Sequence, residues 1–214
     1  MINVIIFDMD GLLVDSQPLQ YQAYNQVFSK YGSPLTLDDW HEWIQNSYSP
    51  KQWIQKNKLS LDANIIRSEK KILYDELIRN KLTLKPGARN LINKLFGRFR
   101  LSVASASRIE SVQLILNKFA LESKFEELVS DTEMARGKPH PDIFLKTAEV
   151  MLAKVEECLV IEDSIAGLKA AKAAKMKCII CPDTFSTIPL SAFVDADKIV
   201  NDLDEIFVEM IENI

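Results

Sequence analysis

The chain has 214 residues, 47% hydrophobic and 26% charged, enough for one sizeable core with an insertion or for two small domains, and its composition is that of an ordinary globular protein. A formal net charge of −4 and a pI near 5.4, with no basic stripe anywhere, exclude the electrostatic footprint of a nucleic-acid binder. No apolar run approaches the roughly 18 residues of a membrane helix, and the first strand starts within two residues of Met1, so the expectation is no membrane partner, no secretion signal and a cytoplasmic location.

The first element is "VIIF", Val4 to Phe7, a continuous apolar run that reads as a strand buried on both faces. It breaks directly onto Asp8-Met9-Asp10-Gly11, although a buried carboxylate costs several kcal/mol unless something cationic offsets it. From Asp15 to Lys81 strand signals vanish. Tyr21, Tyr24, Val27, Phe28 and Tyr31 form one helical stripe that stops at Gly32, read as its C-cap. Ile65, Ile66, Ile72, Leu73 and Leu77 form a second stripe, with Ser60 or Asp62 as N-cap. Pro86 and Gly87 in "LKPGARN" mark the return to alternating texture. From there "RLSVAS", "FEELVS", "CLVIED", "KCIIC" and "KIV" alternate with amphipathic segments, the rhythm of a parallel sheet covered by helices. The expected fold is α/β, a doubly wound parallel-sheet core over residues 1–14 and 82–214 with a helical cap domain over 15–81.

Three cysteines, Cys158, Cys178 and Cys181, are an odd number in a chain without a secretion signal, which argues against a disulfide framework. The pair in "CIIC" lies three apart in a strand, on opposite faces, and is read with Cys158 as small buried hydrophobes. His140, between Pro139 and Pro141, is read as shaping its loop, and His41, beside Trp40, as packing in or on the helical segment. Neither is assigned a catalytic role.

Ligands of doubly wound sheets bind past the carboxyl ends of the strands, and four such ends carry chemistry here. They are Asp8 and Asp10; Ser105, Ala106 and Ser107; Lys138 in "RGKPHPDIF"; and Glu162 with Asp163. Carboxylates crowded at one rim stay protonated unless a divalent cation sits among them, and an oxygen-only donor set suits Mg²⁺. Ser105, with the amides of Ala106 and Ser107 where a helix begins near Arg108, makes an anion cradle, and Lys138 adds a fixed positive charge. Such a set is built for a phosphoryl group. The absence of G-x-x-x-x-G-K-[ST] speaks against a nucleotide-cradling loop.

The motifs "FDMDGLLVDS", "SAS", "GKPHPDIF" and "IEDSIAGLKAA", in this order, resemble those of the haloacid dehalogenase superfamily, and the resemblance spans the whole chain. The helical insertion is similar to that superfamily's C1 cap, in the subgroup of phosphoglycolate phosphatase, sugar phosphatases and β-phosphoglucomutase. The resemblance implies Asp8 as nucleophile, Asp10 as general acid and base, and Ser105, the Ala106 amide and Lys138 around the transferred phosphoryl group. It further implies Mg²⁺ held by Asp8, the Asp10 carbonyl and Asp163, with Glu162 as a further ligand or support. The expected substrate is a small phosphorylated metabolite, with sugar phosphates leading, hydrolysed by a monomeric enzyme.

Two alternatives stand beside this reading. β-Phosphoglucomutase-type phosphoryl transfer is one, but the mutase cap carries a histidine where this chain has Gln20, and a lysine, a glycine and an arginine around Gln45, Asn46 and Ser49. A protein that binds a phosphorylated metabolite without turnover is the other.

Overall fold

The computed structural model describes residues 1–214, the side chain of Glu133 excepted. Six strands, β1 (Val4–Phe7), β2 (Arg100–Ser105), β3 (Glu127–Ser130), β4 (Cys158–Glu162), β5 (Lys177–Ile180) and β6 (Lys198–Ile199), form one sheet in the order β3-β2-β1-β4-β5-β6. Every pairing is parallel, as the doubly wound reading requires. β1 lies at the centre, with Val4 opposite Arg100 and Cys158, and Phe7 opposite Val103 and Ile161. A strand flanked on both edges and covered on both faces has no solvent side, hence its unbroken apolar sequence and complete burial.

The helices that cover this sheet are α5 (Ala88–Leu95), α6 (Ile109–Lys118), α7 (Asp142–Val150), α8 (Ile165–Ala173) and α9 (Val208–Glu212). α5 shows why they form: Ala88, Leu91, Ile92 and Leu95 recur at helical spacing, and all four are buried. Cys158, Cys178 and Cys181 are free thiols packed in this core, and burial pushes Cys158 up to about 11 and Cys181 up to about 12, so both stay neutral.

The chain divides into two compact units, one of Met1–Asp15, Thr83–Asp183 and Pro189–Ile214, the other of Ser16–Leu82 with Thr184–Ile188. The second is helical: α1 (Gln17–Lys30), α2 (Leu37–Gln45), α3 (Pro50–Lys56) and α4 (Ala63–Lys81). Capping boxes start α2 (Thr36 with Asp39) and α3 (Ser49 with Gln52), and Asp62 caps α4. Its core is aromatic, with the Trp43 ring 5.0 Å from Tyr24, 5.3 Å from Trp53 and 5.8 Å from Trp40. Phe185, from the distant segment, packs against this cluster, and its ring lies 6.1 Å from that of His41. Among the described residues no helix is long and apolar enough to cross a membrane.

Three local expectations are corrected. α1 ends at Lys30 with Tyr31 as its cap, one position earlier than expected, and Gly32 follows just past the cap at φ 73°. Tyr31 leaves the apolar stripe, and its exposed hydroxyl donates to Glu69 instead. In α4 the buried residues are Ile66, Tyr74 and Ile78, whereas Ile65 and Ile72 face solvent at 50% and 70% exposure. Neighbouring residues point about 100° apart on a helix, so a run of adjacent isoleucines cannot share one face. Tyr74 and Ile78, each a multiple of four from Ile66, set the phase.

Candidate active site

β1, β2 and β4 are neighbours, so the residues just beyond their carboxyl ends converge. The Asp8 amide donates to Ile161 O at 3.0 Å, which carries the pairing with β4 one residue past the strand and places the Asp8 carboxylate beside Glu162 and Asp163. The chain then turns sharply at Gly11, where φ is +90° and a Cβ would lie 2.3 Å from Asp163 Oδ2. Only glycine permits this turn and this approach together.

Lys138 comes from the loop before α7. Its ammonium donates to Asp8 Oδ1 at 2.5 Å, to Glu162 Oε1 at 2.7 Å and to Ala104 O at 3.3 Å. The loop runs close against the residue that follows β3, since a Cβ on Gly137 would lie 2.7 Å from Asp131 Oδ2. Glu162 has both oxygens engaged: Oε2 accepts from the amides of Asp163 and Ser164 at 2.8 Å each and from Ser164 Oγ at 2.9 Å. Its carboxylate occupies the space beside Gly167 in the first turn of α8, where a Cβ would sit 1.7 Å from Oε1. Glu162 thus reads as the anchor of Lys138.

The electrostatics follow from burial. Asp8, Glu162 and Asp163 are 5%, 1% and 6% exposed. Burial, opposed by Lys138 and reinforced by Glu162, pushes Asp8 up to about 7. Burial first, then Glu162, Asp8 and Asp183, raise Asp163 well above the usual carboxylate range. Burial opposes the charge on Glu162 too, but Lys138 and the Ser164 donors outweigh it and hold this carboxyl below its ordinary value. Lys138 stays charged because Asp8 and Glu162 overcome its desolvation. Asp8, Glu162 and Asp163 each offer an oxygen within 4.8 Å of one another, a cluster able to hold a metal ion.

At the end of β2, Ser105 is fully buried, and its Oγ donates to Asp10 Oδ2 at 3.3 Å while accepting the Ser107 amide at 3.0 Å. Ala106, between them, is exposed. The structure therefore brings Asp8, Asp10, Ser105, Lys138, Glu162 and Asp163 to one place, with Ala106 at its edge. His140 is exposed in its loop and His41 belongs to the helical unit; neither is part of this cluster.

Three features escape a reading by motif. Ser107 Oγ donates to Asp10 Oδ2 at 2.6 Å, although the sequence pointed only to its amide. Lys85 Nζ pairs with Asp183 Oδ1 at 2.8 Å, with both side chains largely buried, and Asp183 in turn acts on Asp163. These two residues are 98 positions apart, and no local pattern announces them. Gly167 lies inside the quoted motif "IEDSIAGLKAA", where its lack of a side chain was the available clue.

A family model described as "Haloacid dehalogenase-like hydrolase" matches residues 5–181, a span that contains every one of these residues except Asp183. The chain belongs to the haloacid dehalogenase-like hydrolase family. Within that family it is 30% identical over 181 residues to a phosphorylated carbohydrates phosphatase of Thermotoga maritima, covering 80% of this chain and 81% of that protein. It is 29% identical over 187 residues to hexitol phosphatase B of Escherichia coli, covering 83% and 82%. Among solved structures, CbbY of Rhodobacter sphaeroides in complex with phosphate superposes with a TM-score of 0.85 at 25% identity, covering 96% of each chain.

Proposed function

We propose that this chain is a Mg²⁺-dependent phosphatase of small phosphorylated metabolites, with sugar phosphates the leading class, and that it works through an aspartyl phosphate on Asp8. The observation that carries this reading is the buried contact of Lys138 with both Asp8 and Glu162 beside a third carboxylate, Asp163. The four carboxylates Asp8, Glu162, Asp163 and Asp183 face two ammonium groups, Lys138 and Lys85, and the oxygen-only surplus of negative charge fits a divalent cation. Asp8 and Asp163, with the Asp10 carbonyl, would hold Mg²⁺, which neutralises negative charge on the phosphoryl oxygens when bound. The relatives named as carbohydrate and hexitol phosphatases support the substrate class.

The chemistry of the chain's own groups follows. Lys138 fixes Asp8 so that its carboxylate attacks phosphorus as the bond to the leaving oxygen breaks. Asp10 gives its proton to that oxygen, then takes one from the water that cleaves the acyl phosphate and restores Asp8. Ser105, the Ala106 amide and Lys138 bind the phosphoryl oxygens as charge develops on them. Glu162 acts through Lys138, because both of its oxygens are already taken.

The test is phosphate release from glucose 6-phosphate, fructose 1-phosphate, sorbitol 6-phosphate and phosphoglycolate, with Mg²⁺ and with chelator. β-Glucose 1-phosphate with catalytic glucose 1,6-bisphosphate is run alongside. Mg²⁺-dependent phosphate release without isomerised product is the expected result. Glucose 6-phosphate formed without net phosphate would make the protein a mutase, and tight binding without turnover would make it a binding protein.

A further inference from the structure

Lys138 and Lys85 both stand among the acids of the site, and the chemistry above uses only the first. Lys85 sits one carboxylate further back: its Nζ pairs with Asp183 Oδ1 at 2.8 Å, with the two side chains 13% and 2% exposed. Asp183 lies three residues past β5. The Cys181 amide donates to Glu162 O at 2.8 Å, so the chain stays paired with β4 beyond the end of β5, and it then brings Asp183 against the turn at Gly11. A Cβ on Gly11 would lie 2.3 Å from Asp163 Oδ2 and 3.4 Å from the Asp183 Cβ, so the two acids flank one point. The buried Cys181 thiol feels both Asp163 and Lys85, which puts the Lys85 ammonium within electrostatic reach of the cluster.

Lys85 is held there by its backbone. Its amide donates to Leu13 O at 2.9 Å, the Asp15 amide donates to Thr83 O at 3.0 Å, and Leu84 pairs antiparallel with Val14. Residues 83–85 are thus zipped to the tail of the turn that carries Asp8 and Asp10, and the ammonium reaches the acids from a fixed base.

A cation fixed beside buried carboxylates has two consequences of opposite sign. It makes the metal-free cluster tolerable, because a buried charge needs an opposite one. It also repels any metal ion that enters, and salt screens this repulsion weakly because the groups are buried. The repulsion grows with the charge of the ion.

We propose that Lys85 is a specificity-determining residue of the metal site, a fixed internal cation that weakens metal binding and biases the site toward divalent over trivalent ions; this rests on the Mg²⁺ reading above. Asp183 is the carboxylate through which Lys85 is held in place.

The test is binding, not turnover. Metal-free protein is titrated at one fixed pH with Mg²⁺ and Ca²⁺ by calorimetry and with Tb³⁺ by its luminescence. Lys85→Met is expected to tighten Mg²⁺ by about tenfold, the lower end of what groups behind metal ligands contribute. Coulomb energy is proportional to the charge of the ion, so a tenfold gain for Ca²⁺ becomes about thirtyfold for Tb³⁺, an ion of similar size. A pair that served only to hold the chain would move both ions alike. Lys85→Arg keeps the charge and should stay within about threefold of wild type for all three ions. Should Lys85→Met fail to fold, Asp183→Asn compared with Asp183→Asn plus Lys85→Met repeats the comparison with no buried carboxylate left over, and the double variant should bind Mg²⁺ about tenfold more tightly than the single one. Unchanged or weaker Mg²⁺ binding on removal of Lys85, or equal gains for Ca²⁺ and Tb³⁺, overturns the proposal and leaves the phosphatase reading standing. Wild-type protein that binds none of the three ions overturns the metal site and the proposal together.

Discussion

Lys138→Met tests the electrostatic core of the site through stability alone. Methionine keeps an unbranched apolar stem and removes the charge that faces Asp8 and Glu162 and lies 5.1 Å from the centre of the Phe144 ring. Glu162 is then a fully buried carboxylate without a cation, and two outcomes are open to it. Remaining charged costs about 3–5 kcal/mol, as for any buried pair broken on one side. Taking up a proton costs about 1.4 kcal/mol for each pH unit above its ordinary value of 4.5, hence about 3 kcal/mol at pH 7 and under about 1 kcal/mol at pH 5. The cheaper route governs, so the destabilisation follows protonation. Asp8, already pushed up to about 7, completes its own protonation and adds little. Urea unfolding of metal-free wild type and variant at both pH values should show a loss of about 3 kcal/mol at pH 7 that shrinks to below about 1 kcal/mol at pH 5. A loss that is the same at both pH values, or below about 1 kcal/mol at pH 7, would refute the claim that Lys138 compensates a buried charge.

Other perturbations follow from the same geometry. Asp8→Asn should abolish turnover, yet raise metal-free stability at pH 7. The folded-state value near 7 against 3.8 means that the native state binds the extra proton, so wild-type stability falls as pH rises through that window; chevron or urea data showing a destabilised variant at pH 7 would contradict this. Gly167→Ala drives a methyl group into Glu162 Oε1, and should cost about 2 kcal/mol and at least tenfold in kcat; a variant with wild-type kcat would show that the Glu162 carboxylate need not sit there. Mg²⁺ binding should release protons from Asp8 and Asp163, so its affinity should rise between pH 6 and 8; calorimetry in two buffers of different ionisation enthalpy measures this, and identical heats would argue against a metal at these carboxylates. Asp163→Asn should weaken Mg²⁺ at least tenfold in the same titration, whereas an unchanged affinity would remove Asp163 from the metal site.

The sheet was legible because a strand buried on both faces has no choice of composition, and "VIIF" and "CLVI" show it without ambiguity. The ends of those strands then identified Asp8, Asp10, Ser105, Glu162 and Asp163 as neighbours, since parallel strands side by side must end side by side. Lys138 needed its motif as well, because nothing in a loop's texture says where its lysine points. What the sequence could not reveal is contact between distant polar groups. Lys85 and Asp183 meet across the fold, and the Ser107 hydroxyl turns toward Asp10 while Ser130 donates to the Ser107 carbonyl. The phase of α4 was missed for a different reason: "ANIIRSEKKIL" offers apolar residues on two faces, and only packing against Tyr24, Trp43 and their neighbours selects one.

The five residues Thr184–Ile188 give the helical unit a property that its sequence position conceals. A gene fragment encoding 16–82 alone would encode the four helices but leave out Phe185, opening an unfilled place beside the tryptophan cluster and leaving His41 without its ring partner. Evolutionary exchange of this unit between relatives, or its transplantation in the laboratory, therefore has to move two pieces of chain that lie about a hundred positions apart. The part of the molecule that looks most like a detachable module is stitched in by a thread from elsewhere.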